Sequence, residues 1–405
     1  MEKTSHGVRR QNLIAIYISI TMQYRTLCKE KINVSALGFG CMRLPTTNGK
    51  PNGPVDEKEA TRIVRHGIDN GINYVDTAKI YHNSKCEAIL GRILRSGYRD
   101  KVMIATKLPT WDVKTRKDAD RIFDEQRKDL RTDKIDFYLI HNLQRAFDKT
   151  FKSNKLAEWA WRKKEKGEIG HVGFSFHDDY AYFEEIVNSF DRWEFCQIQY
   201  NYVNENDQAG TKGLQLAASK GLSVIIMEPL LGGALATPSG LMAKLFESKQ
   251  GERYNPVDLA LRWLWNKPEV SLVLSGMSSY EQVVQNLAIA DKSAVGCMTK
   301  MELKFVKKLQ EAYDQSFPIK CTKCRYCLPC PAGVNIPVNF EMYNNFQALS
   351  SQKKSAILYK LLYGSMSEET RSDNCAQCGE CEENCPQKLP IRVHLAEVHK
   401  TLAAE

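Results

Sequence analysis

The chain has 405 residues, of which 43% are hydrophobic and 26% are charged. These values predict a soluble protein with one large globular domain and one smaller one, and they exclude a mainly disordered chain. The formal charge of +9 suits anionic ligands or an acidic electron carrier. Because the Lys and Arg residues are spread along the chain without a nucleic-acid-binding motif, the charge does not indicate a nucleic-acid partner.

The first 21 residues differ in character from the rest of the chain. Arg9 and Arg10 precede a short apolar run, 13–20, in an arrangement similar to an export signal. The run is too short for such a signal and no small-residue cleavage site follows it, so we interpret residues 1–21 as a disordered or non-native extension before a domain that starts at Met22. No stretch reaches the ~18 apolar residues of a membrane span, so we expect no membrane partner and a cytoplasmic protein.

From about residue 34, short apolar runs alternate with segments whose apolar residues recur at helical spacing. Eight strand–helix units in ~250 residues are expected for a (β/α)8 barrel. A doubly wound sheet has the same alternation, but no Gly-x-Gly-x-x-Gly sequence follows the first strand. We therefore predict an α/β fold with a (β/α)8 TIM barrel in residues 22–317. The predicted strands are Val34–Gly38, Tyr74–Thr77, Val102–Thr106, Ile135–Ile140, His171–Phe176, Phe195–Gln199, Ser223–Met227 and Ser271–Leu274.

Ionisable residues follow the ends of three consecutive predicted strands. Asp76 closes the second strand, with Tyr81 five residues later, while Lys107 ends the third strand and His141 ends the fourth. Each residue alone has a structural explanation, as a helix cap, a solvated rim residue or a satisfied core histidine. Barrel enzymes place their chemistry at the carboxyl ends of the strands, so the four together indicate one site.

The end of the chain has a different pattern. Thr299–Ser316 has the spacing of an amphipathic helix, and Phe317-Pro318 then marks a boundary. In residues 318–405, two cysteine runs flank helical segments at Val338–Phe346 and Ile357–Leu362. We predict a small α-helical domain that caps the barrel or admits electrons.

Eight of the thirteen cysteines lie in these two runs, and each run ends in Cys-Pro. Thiolates two residues apart can hold three irons of a 4Fe-4S cluster, and in two-cluster ferredoxins the fourth cysteine binds the other cluster. Cys330 would then complete the second cluster and Cys385 the first, although the first run has two residues rather than three before its last cysteine. A structural zinc site remains an alternative, whereas disulfides are typical of small secreted domains. The predicted ligands are Cys321, Cys324, Cys327, Cys330, Cys375, Cys378, Cys381 and Cys385.

The segment 73–81, Asn-Tyr-Val-Asp-Thr-Ala-Lys-Ile-Tyr, resembles a signature of the aldo-keto reductases, and the resemblance extends from about Val34 to Phe317. The cysteine-rich segment resembles that of a subgroup with a C-terminal 4Fe-4S domain of the helical ferredoxin type. The resemblance implies a nicotinamide cofactor, NAD(P)(H), and a small carbonyl or alcohol substrate. It also implies a catalytic tetrad, formed by Asp76, Tyr81, Lys107 and His141.

The proposed tetrad has a physical logic. A free tyrosine, with a pKa near ~10, rarely exchanges its proton near neutral pH. We expect the Lys107 ammonium to lower the pKa of Tyr81, the acid/base, and Asp76 to keep Lys107 charged. His141 would orient the substrate oxygen.

The resemblance also implies cofactor contacts, some of which are altered. Ser175 and Gln197 would bind the nicotinamide carboxamide, where Phe176 replaces a third amide contact. Gly276 and Gln282 stand where NADPH-preferring members often have Lys and Arg. The predicted cofactor-binding residues are Ser175, Gln197, Met227 (against the nicotinamide ring, or mere barrel packing), Gly276 and Asn286 (an adenine contact).

The two kinds of cofactor differ in how many electrons they carry. Nicotinamide transfers two electrons as a hydride, whereas a cluster accepts one, so coupling them normally requires a flavin or another converter. A barrel can bind FMN through its late loops, and a flavin therefore remains possible. The clusters could be structural, could feed a flavin, or could pass electrons to the substrate, with a ferredoxin or flavodoxin as carrier. The alternative function is an electron-transfer subunit with an idle barrel.

Overall fold

The computed structural model describes residues 22–28, 31–50, 53–321, 327–349, 353–385 and 387–403. Its strands are β1 (Tyr24–Leu27), β2 (Ile32–Ser35), β3 (Leu37–Gly40), β4 (Tyr74–Asp76), β5 (Met103–Pro109), β6 (Ile135–Leu143), β7 (Ile169–Phe176), β8 (Phe195–Gln199), β9 (Ser223–Met227) and β10 (Val270–Ser275). Strands β3 to β10 close a parallel eight-stranded barrel in which β10 lies beside β3. The predicted (β/α)8 fold is confirmed.

Helices connect the strands of the barrel and form the C-terminal domain. Asp56 begins the first of them by accepting a hydrogen bond from the Glu59 amide, a capping interaction. The helices are α1 (Glu57–Asp69), α2 (Tyr81–Ser84), α3 (Cys86–Ile93), α4 (Arg116–Leu130), α5 (Asp148–Asn154), α6 (Leu156–Glu165), α7 (Tyr180–Ser189), α8 (Gly210–Ser219), α9 (Gly240–Glu247), α10 (Pro256–Trp265), α11 (Tyr280–Ala290), α12 (Lys300–Gln315), α13 (Ile336–Leu349), α14 (Lys353–Gly364), α15 (Glu380–Glu383) and α16 (Ile391–Leu402).

The start of the barrel differs from the prediction. The predicted strand Val34–Gly38 is in fact two strands, because β2 ends at Ser35 and the barrel strand β3 begins at Leu37. The unpredicted hairpin of β1 and β2 pairs Leu27 with Ile32. The break was not visible in the sequence because a short apolar run that is buried throughout shows no change of periodicity.

Inside the barrel, apolar side chains lie towards the amino-terminal ends of the strands and polar side chains lie at the carboxyl ends. Alternate residues of β6 show the arrangement: Phe137 and Leu139 belong to the internal apolar cluster, and His141 continues the same row towards the carboxyl end. Leu27 and Val34 of the hairpin join this cluster from the amino-terminal end. The apolar cluster thus fills the amino-terminal end of the barrel and leaves the mouth at the carboxyl ends of the strands for polar groups. Its barrel residues are Tyr74, Ala105, Phe137, Leu139, Phe195, Ile225, Leu272 and Leu274.

The C-terminal helices share one hydrophobic core with the barrel. Tyr313 of α12 donates a hydrogen bond to Asn345 of α13 at 2.7 Å, and Ser239, in a loop after β9, donates to the Ala348 carbonyl at 3.1 Å. These contacts place the domain against loops at the carboxyl end of the barrel. The predicted boundary between residues 317 and 318 stays a prediction, and residues 1–21 lie outside the described part of the chain.

Within the described ranges, no helix combines the length and the apolar character that crossing a membrane requires.

Candidate active site at the barrel mouth

A buried ion pair lies at the carboxyl ends of β4 and β5. The Lys107 ammonium donates to both carboxylate oxygens of Asp76, at 2.8 and 2.7 Å, and to the Thr77 carbonyl at 2.8 Å. Lys107 is 1% exposed and Asp76 is 3% exposed. All three donor sites of the ammonium are therefore occupied by protein oxygens, which fixes its position.

The neighbours of Lys107 keep it charged in spite of its burial. Burial alone would lower the pKa of Lys107, but Asp76 and Tyr81 outweigh burial and raise it above its usual value. Burial raises the pKa of Asp76, and the Lys107 ammonium opposes this shift. The lysine therefore stays charged at neutral pH.

Tyr81 lies beside this ammonium, and Lys107 Nζ is 5.2 Å from the centroid of its ring. Burial raises the pKa of Tyr81 to about 12, because the opposing effect of Lys107 is the smaller of the two. Lys107 therefore lowers this pKa as expected, but burial outweighs its effect and the net shift is upward. The phenol stays protonated at neutral pH, as a proton donor requires.

An unusual backbone turn holds Tyr81 at the mouth. The next three residues, His82, Asn83 and Ser84, all have positive φ values, of 49°, 54° and 62°. Non-glycine residues seldom adopt this left-handed conformation, and consecutive ones are rarer still. Such strain persists only where the surrounding structure imposes it, and it often accompanies function.

His141 completes the group of four. It is 9% exposed, its ring centroid lies 5.0 Å from that of Trp111, and its Nδ1 has no hydrogen-bond partner among the described residues. Burial, with the charges of Lys107 and His177, lowers its pKa well below the usual value. The imidazole is thus neutral at physiological pH and can accept or donate one hydrogen bond.

A polar network behind Lys107 was not foreseen from the sequence. Glu87 Oε1 accepts hydrogen bonds from Thr106 Oγ1 at 2.5 Å and from Gln126 Nε2 at 2.8 Å. Gln126 also donates to the Lys107 carbonyl at 2.9 Å and accepts from the Tyr138 hydroxyl at 2.7 Å. Burial raises the pKa of Glu87 to about 7. The network fixes the backbone of β5 where it carries the catalytic candidate.

Two of the cysteines outside the predicted cluster runs also lie next to the site. The Cys86 thiol contacts the Cys41 carbonyl at 3.5 Å, and both side chains are fully buried. A hydrogen bond with Cys86 and burial raise the pKa of the Cys41 thiol well above its usual value. Cys41 is therefore an unreactive thiol at neutral pH.

The residues predicted to hold the nicotinamide lie on neighbouring strands. Ser175 of β7 is in register with Gln197 of β8. The Ser175 hydroxyl accepts a hydrogen bond from the Asn142 amide at 2.8 Å, and Gln197 Nε2 contacts the Met227 sulfur at 3.6 Å. The side chains of Ser175, Gln197 and Met227 therefore come together at the mouth of the barrel. Their role in binding a cofactor stays a prediction.

Asn286 and Gly276, which are predicted to contact the adenosine end of the cofactor, have different surroundings. Asn286 is 3% exposed and donates to Ser275 Oγ at 2.9 Å, so its amide already supports the end of β10. Gly276 follows β10 directly, and a side chain there would meet Arg43. Their predicted contacts with the adenosine end are untested.

The mouth contains polar atoms that the protein itself does not satisfy. Buried atoms without a hydrogen-bond partner among the described residues include Thr77 Oγ1, His141 Nδ1, Asn142 Oδ1 and Gln197 Oε1. Unsatisfied buried polar groups are rare, so a cluster of them at one end of a barrel fits a polar ligand. The Gln197 oxygen in particular can accept from a carboxamide N–H, which is compatible with nicotinamide.

The described cluster cysteines lie around the part of the shared hydrophobic core that the C-terminal helices form. Cys385 is 7% exposed within this core, Cys321, Cys327 and Cys330 pack against it, and Cys378 is exposed. Positive φ values at Gln377 and Gly379 bend the loop that carries the second run. Cys324 lies outside the described residues.

A structural zinc site, one of the two candidate metal groups, requires closely spaced sulfurs. Four zinc–sulfur bonds of ~2.3 Å in a tetrahedron would place the sulfurs ~3.8 Å apart. Of the cluster cysteines that the structure describes, no three have sulfurs within 4.8 Å of one another. No described trio of these sulfurs is therefore as close together as a tetrahedral zinc site requires.

Comparisons with known proteins agree with this geometry. An L-galactose dehydrogenase of Arabidopsis thaliana is 28% identical over 290 residues, which are 66% of this chain and 88% of that protein. The holo form of an aldo-keto reductase from Bacillus halodurans superposes with a TM-score of 0.58 at 25% identity, covering 71% of this chain and 96% of that one. An aldo-keto reductase from Klebsiella pneumoniae in complex with NADPH has the same fold, with a TM-score of 0.55, 23% identity and 71% and 96% coverage.

Two family models divide the chain between them. Residues 320–389 match the model of a 4Fe-4S dicluster domain. Residues 36–295 match that of the aldo/keto reductases. The chain therefore belongs to the aldo/keto reductase family and carries a C-terminal iron–sulfur domain.

Proposed function

We propose that the protein is an oxidoreductase that interconverts a carbonyl and an alcohol at the barrel mouth with a nicotinamide cofactor. The observation that carries this proposal is the juxtaposition of Tyr81 with the buried Asp76–Lys107 pair at the carboxyl ends of the strands. The neutral His141 lies at the same mouth. A bound reduced nicotinamide would supply the hydride.

The roles of the four side chains follow from their protonation states. Tyr81, a phenol at neutral pH, donates its proton to the oxygen of the carbonyl as the alcohol forms. The Lys107 ammonium stabilises the phenolate that remains, and Asp76 holds that ammonium in place. His141 orients the substrate oxygen through a hydrogen bond. In alcohol oxidation, Tyr81 takes the proton back.

A nicotinamide is favoured over a flavin by the polar atoms of the mouth. The unsatisfied Gln197 oxygen matches a carboxamide donor, and Ser175 lies in register beside it. The Klebsiella pneumoniae structure, a complex with NADPH, shows that a relative of this fold accommodates such a cofactor. FMN remains the second candidate.

We further propose that eight cysteines bind two 4Fe-4S clusters, with Cys330 and Cys385 each serving the cluster of the other run. The match to a 4Fe-4S dicluster domain supports this. Because hydride transfer moves two electrons at once, the clusters are not required for that step. They either stabilise the C-terminal domain or exchange single electrons with a ferredoxin or flavodoxin.

Turnover of the anaerobically purified protein tests the function. We expect aldehyde-dependent oxidation of NADPH or NADH, reduced ~10²- to 10⁴-fold in Tyr81→Phe because a general acid is lost. Tyr180→Phe is the matched control, since Tyr180 is on α7 and its hydroxyl contacts Glu184. Wild-type protein that oxidises no nicotinamide, but whose clusters are rapidly reduced by ferredoxin, would instead favour an electron-transfer subunit with an idle barrel.

A further inference from the structure

Three side chains of different chemistry meet at the amino-terminal end of the barrel, opposite the candidate active site. Cys28 directly follows β1, His171 lies near the start of β7, and Glu194 immediately precedes β8. One potential ligand atom from each residue lies within 4.8 Å of the other two, a closeness that no other group of His, Cys, Asp or Glu reaches in the described part of the chain. We call these three residues the basal triad.

Backbone contacts hold the basal triad in place. The Cys28 amide donates a hydrogen bond to Ser223 Oγ, at the start of β9, at 2.7 Å. The Lys31 amide donates to the Cys28 carbonyl at 3.1 Å and so closes the hairpin turn. On the other side, Glu194 Oε2 accepts from the Val172 amide of β7 at 2.8 Å. The hairpin thus positions the thiol, and the barrel strands position the carboxylate.

The distances within the basal triad suit a single metal ion. His171 Nδ1 lies 2.9 Å from Glu194 Oε1. Nitrogen and oxygen ligands ~2.0–2.1 Å from a tetrahedral zinc ion lie ~3.3 Å apart, and a sulfur ligand at ~2.3 Å lies ~3.6 Å from each of them. Since the Cys28 sulfur is already within 4.8 Å of the other two ligand atoms, a shift of ~1.2 Å or less brings it into range.

The ammonium of Lys164 on α6 lies against the basal triad. It donates to Glu194 Oε1, the same oxygen that His171 contacts. The Lys164 side chain is 19% exposed and its four-carbon stem is flexible, so the ammonium can turn towards solvent when another cation binds the carboxylate. An ion-pair network of Lys164, Glu194 and His171 requires no thiol, whereas a transition-metal ion gains a ligand from one.

The donor atoms of the basal triad select a class of metal. Thiolate and imidazole ligands suit Zn²⁺, whereas Mg²⁺ and Ca²⁺ prefer sites built from oxygen atoms. Three protein ligands leave the fourth position of a tetrahedron to water. The His171 side chain is 12% exposed, so this position can be reached from solvent.

We propose that the basal triad binds one zinc ion, which ties the β1–β2 hairpin to strands β7 and β8. Cys28 binds as a thiolate and releases its proton to solvent, and the Lys164 ammonium moves away from Glu194. The apolar cluster that includes Leu27 and Phe195 fills this end of the barrel. The site therefore goes beyond the proposed function and does not depend on it, because Tyr81 lies at the opposite mouth.

Equilibrium dialysis of the anaerobic, iron-replete protein against Zn²⁺ tests the site. We expect about one zinc ion per chain, without loss of iron. Cys28→Ala and His171→Gln should weaken binding ~100-fold or more, because even changes in outer-shell partners cost ~10- to 100-fold. Cys297→Ala, the matched control outside the two cysteine runs, should bind as wild type does. Lys164→Gln should bind ~10-fold more tightly, because the competing ammonium is gone. Iron content and zinc-free unfolding midpoints show whether each variant is folded.

X-ray absorption at the zinc edge identifies the ligands. The basal triad predicts one sulfur at ~2.3 Å and three nitrogen or oxygen atoms at ~2.0–2.1 Å, whereas zinc bound by the cluster cysteines would have four sulfurs. Four sulfurs, no zinc in wild type, or equal affinities of Cys28→Ala and Cys297→Ala would overturn the site. If Cys28→Ala does not fold, Lys164→Gln decides, since an affinity no higher than that of wild type contradicts the competition for Glu194. Carbonyl reduction and its loss in Tyr81→Phe are tested separately.

Discussion

Replacing Asp76 by Asn would test how the buried pair is held. Asn is nearly the same size as Asp and keeps one oxygen for Lys107, but it removes the negative charge. Lys107 is 1% exposed, so its ammonium would remain buried without a counter-ion. Breaking a buried ion pair by removing one partner costs ~3–5 kcal/mol of folding free energy.

The size of the effect on thermal unfolding can be worked out. Unfolding entropy is ~2.1 cal/mol/K per residue, which for a barrel of ~280 residues gives ~0.6 kcal/mol/K. A loss of ~3–5 kcal/mol therefore lowers the unfolding midpoint by ~5–8 °C. Because a cofactor-bearing two-domain protein need not unfold in two states, midpoints should be compared at equal iron content.

The double variant supplies the control. Asp76→Asn with Lys107→Met removes both charges, so it should be more stable than Asp76→Asn alone, and the two single effects should not add. Scanning calorimetry or tryptophan fluorescence gives the midpoints. A midpoint within ~1 °C of wild type for Asp76→Asn, or exact additivity in the double variant, would refute the role given to the pair.

Three further predictions concern neighbouring groups. Glu87→Gln should be more stable than wild type by ~3 kcal/mol at pH 8, because the pKa of Glu87, about 7 in the folded protein, lies above its unfolded value of 4.5. Between these two pH values the native wild-type protein binds more protons than the unfolded chain, so wild type loses stability as the pH rises. The stability advantage of the variant should therefore grow from pH 4.5 to 7 and vanish below pH 4.5, as unfolding midpoints against pH would show. Cys381→Ser should lose about half of the ~8 iron atoms that two clusters hold, whereas Cys297→Ala should keep them, by iron analysis. The rate of carbonyl reduction should be flat between pH ~6 and ~9, since the pKa of His141 lies well below 6.5 and that of Tyr81 is about 12; an inflection near pH 6.5 would contradict the neutral imidazole.

Much of the site could be predicted because it follows from strand periodicity. Side chains alternate along a strand, so Leu139 and His141 point the same way, and the polar residue at the end of an internal apolar row must reach the mouth. The same rule brings Lys107 above Ala105 on β5. Local patterns of this kind were sufficient to place the barrel and three of the four candidate residues, whereas Tyr81 lies at the start of α2, beyond the reach of strand periodicity.

The features that escaped prediction depend on contacts between distant parts of the chain. Glu87 is buried against residues 19 and 39 positions later, so its raised pKa has no local signature. Lys107 lowers the pKa of Tyr81 as the sequence predicted, but the depth of burial, which the sequence does not show, raises this pKa by more. Cys28 meets His171 and Glu194, more than 140 residues further along the chain, and only the closed barrel brings them together.

The central claim is that hydride passes directly from a nicotinamide to the substrate carbonyl beside Tyr81. Reduction of an aldehyde with NADPH deuterated at the transferred position of C4, followed by mass spectrometry of the alcohol, tests it most directly. The account predicts one deuterium on the carbinol carbon of the product. Product formed at the same rate with hydrogen from solvent would show that the electrons travel through a flavin or the clusters, and would contradict it.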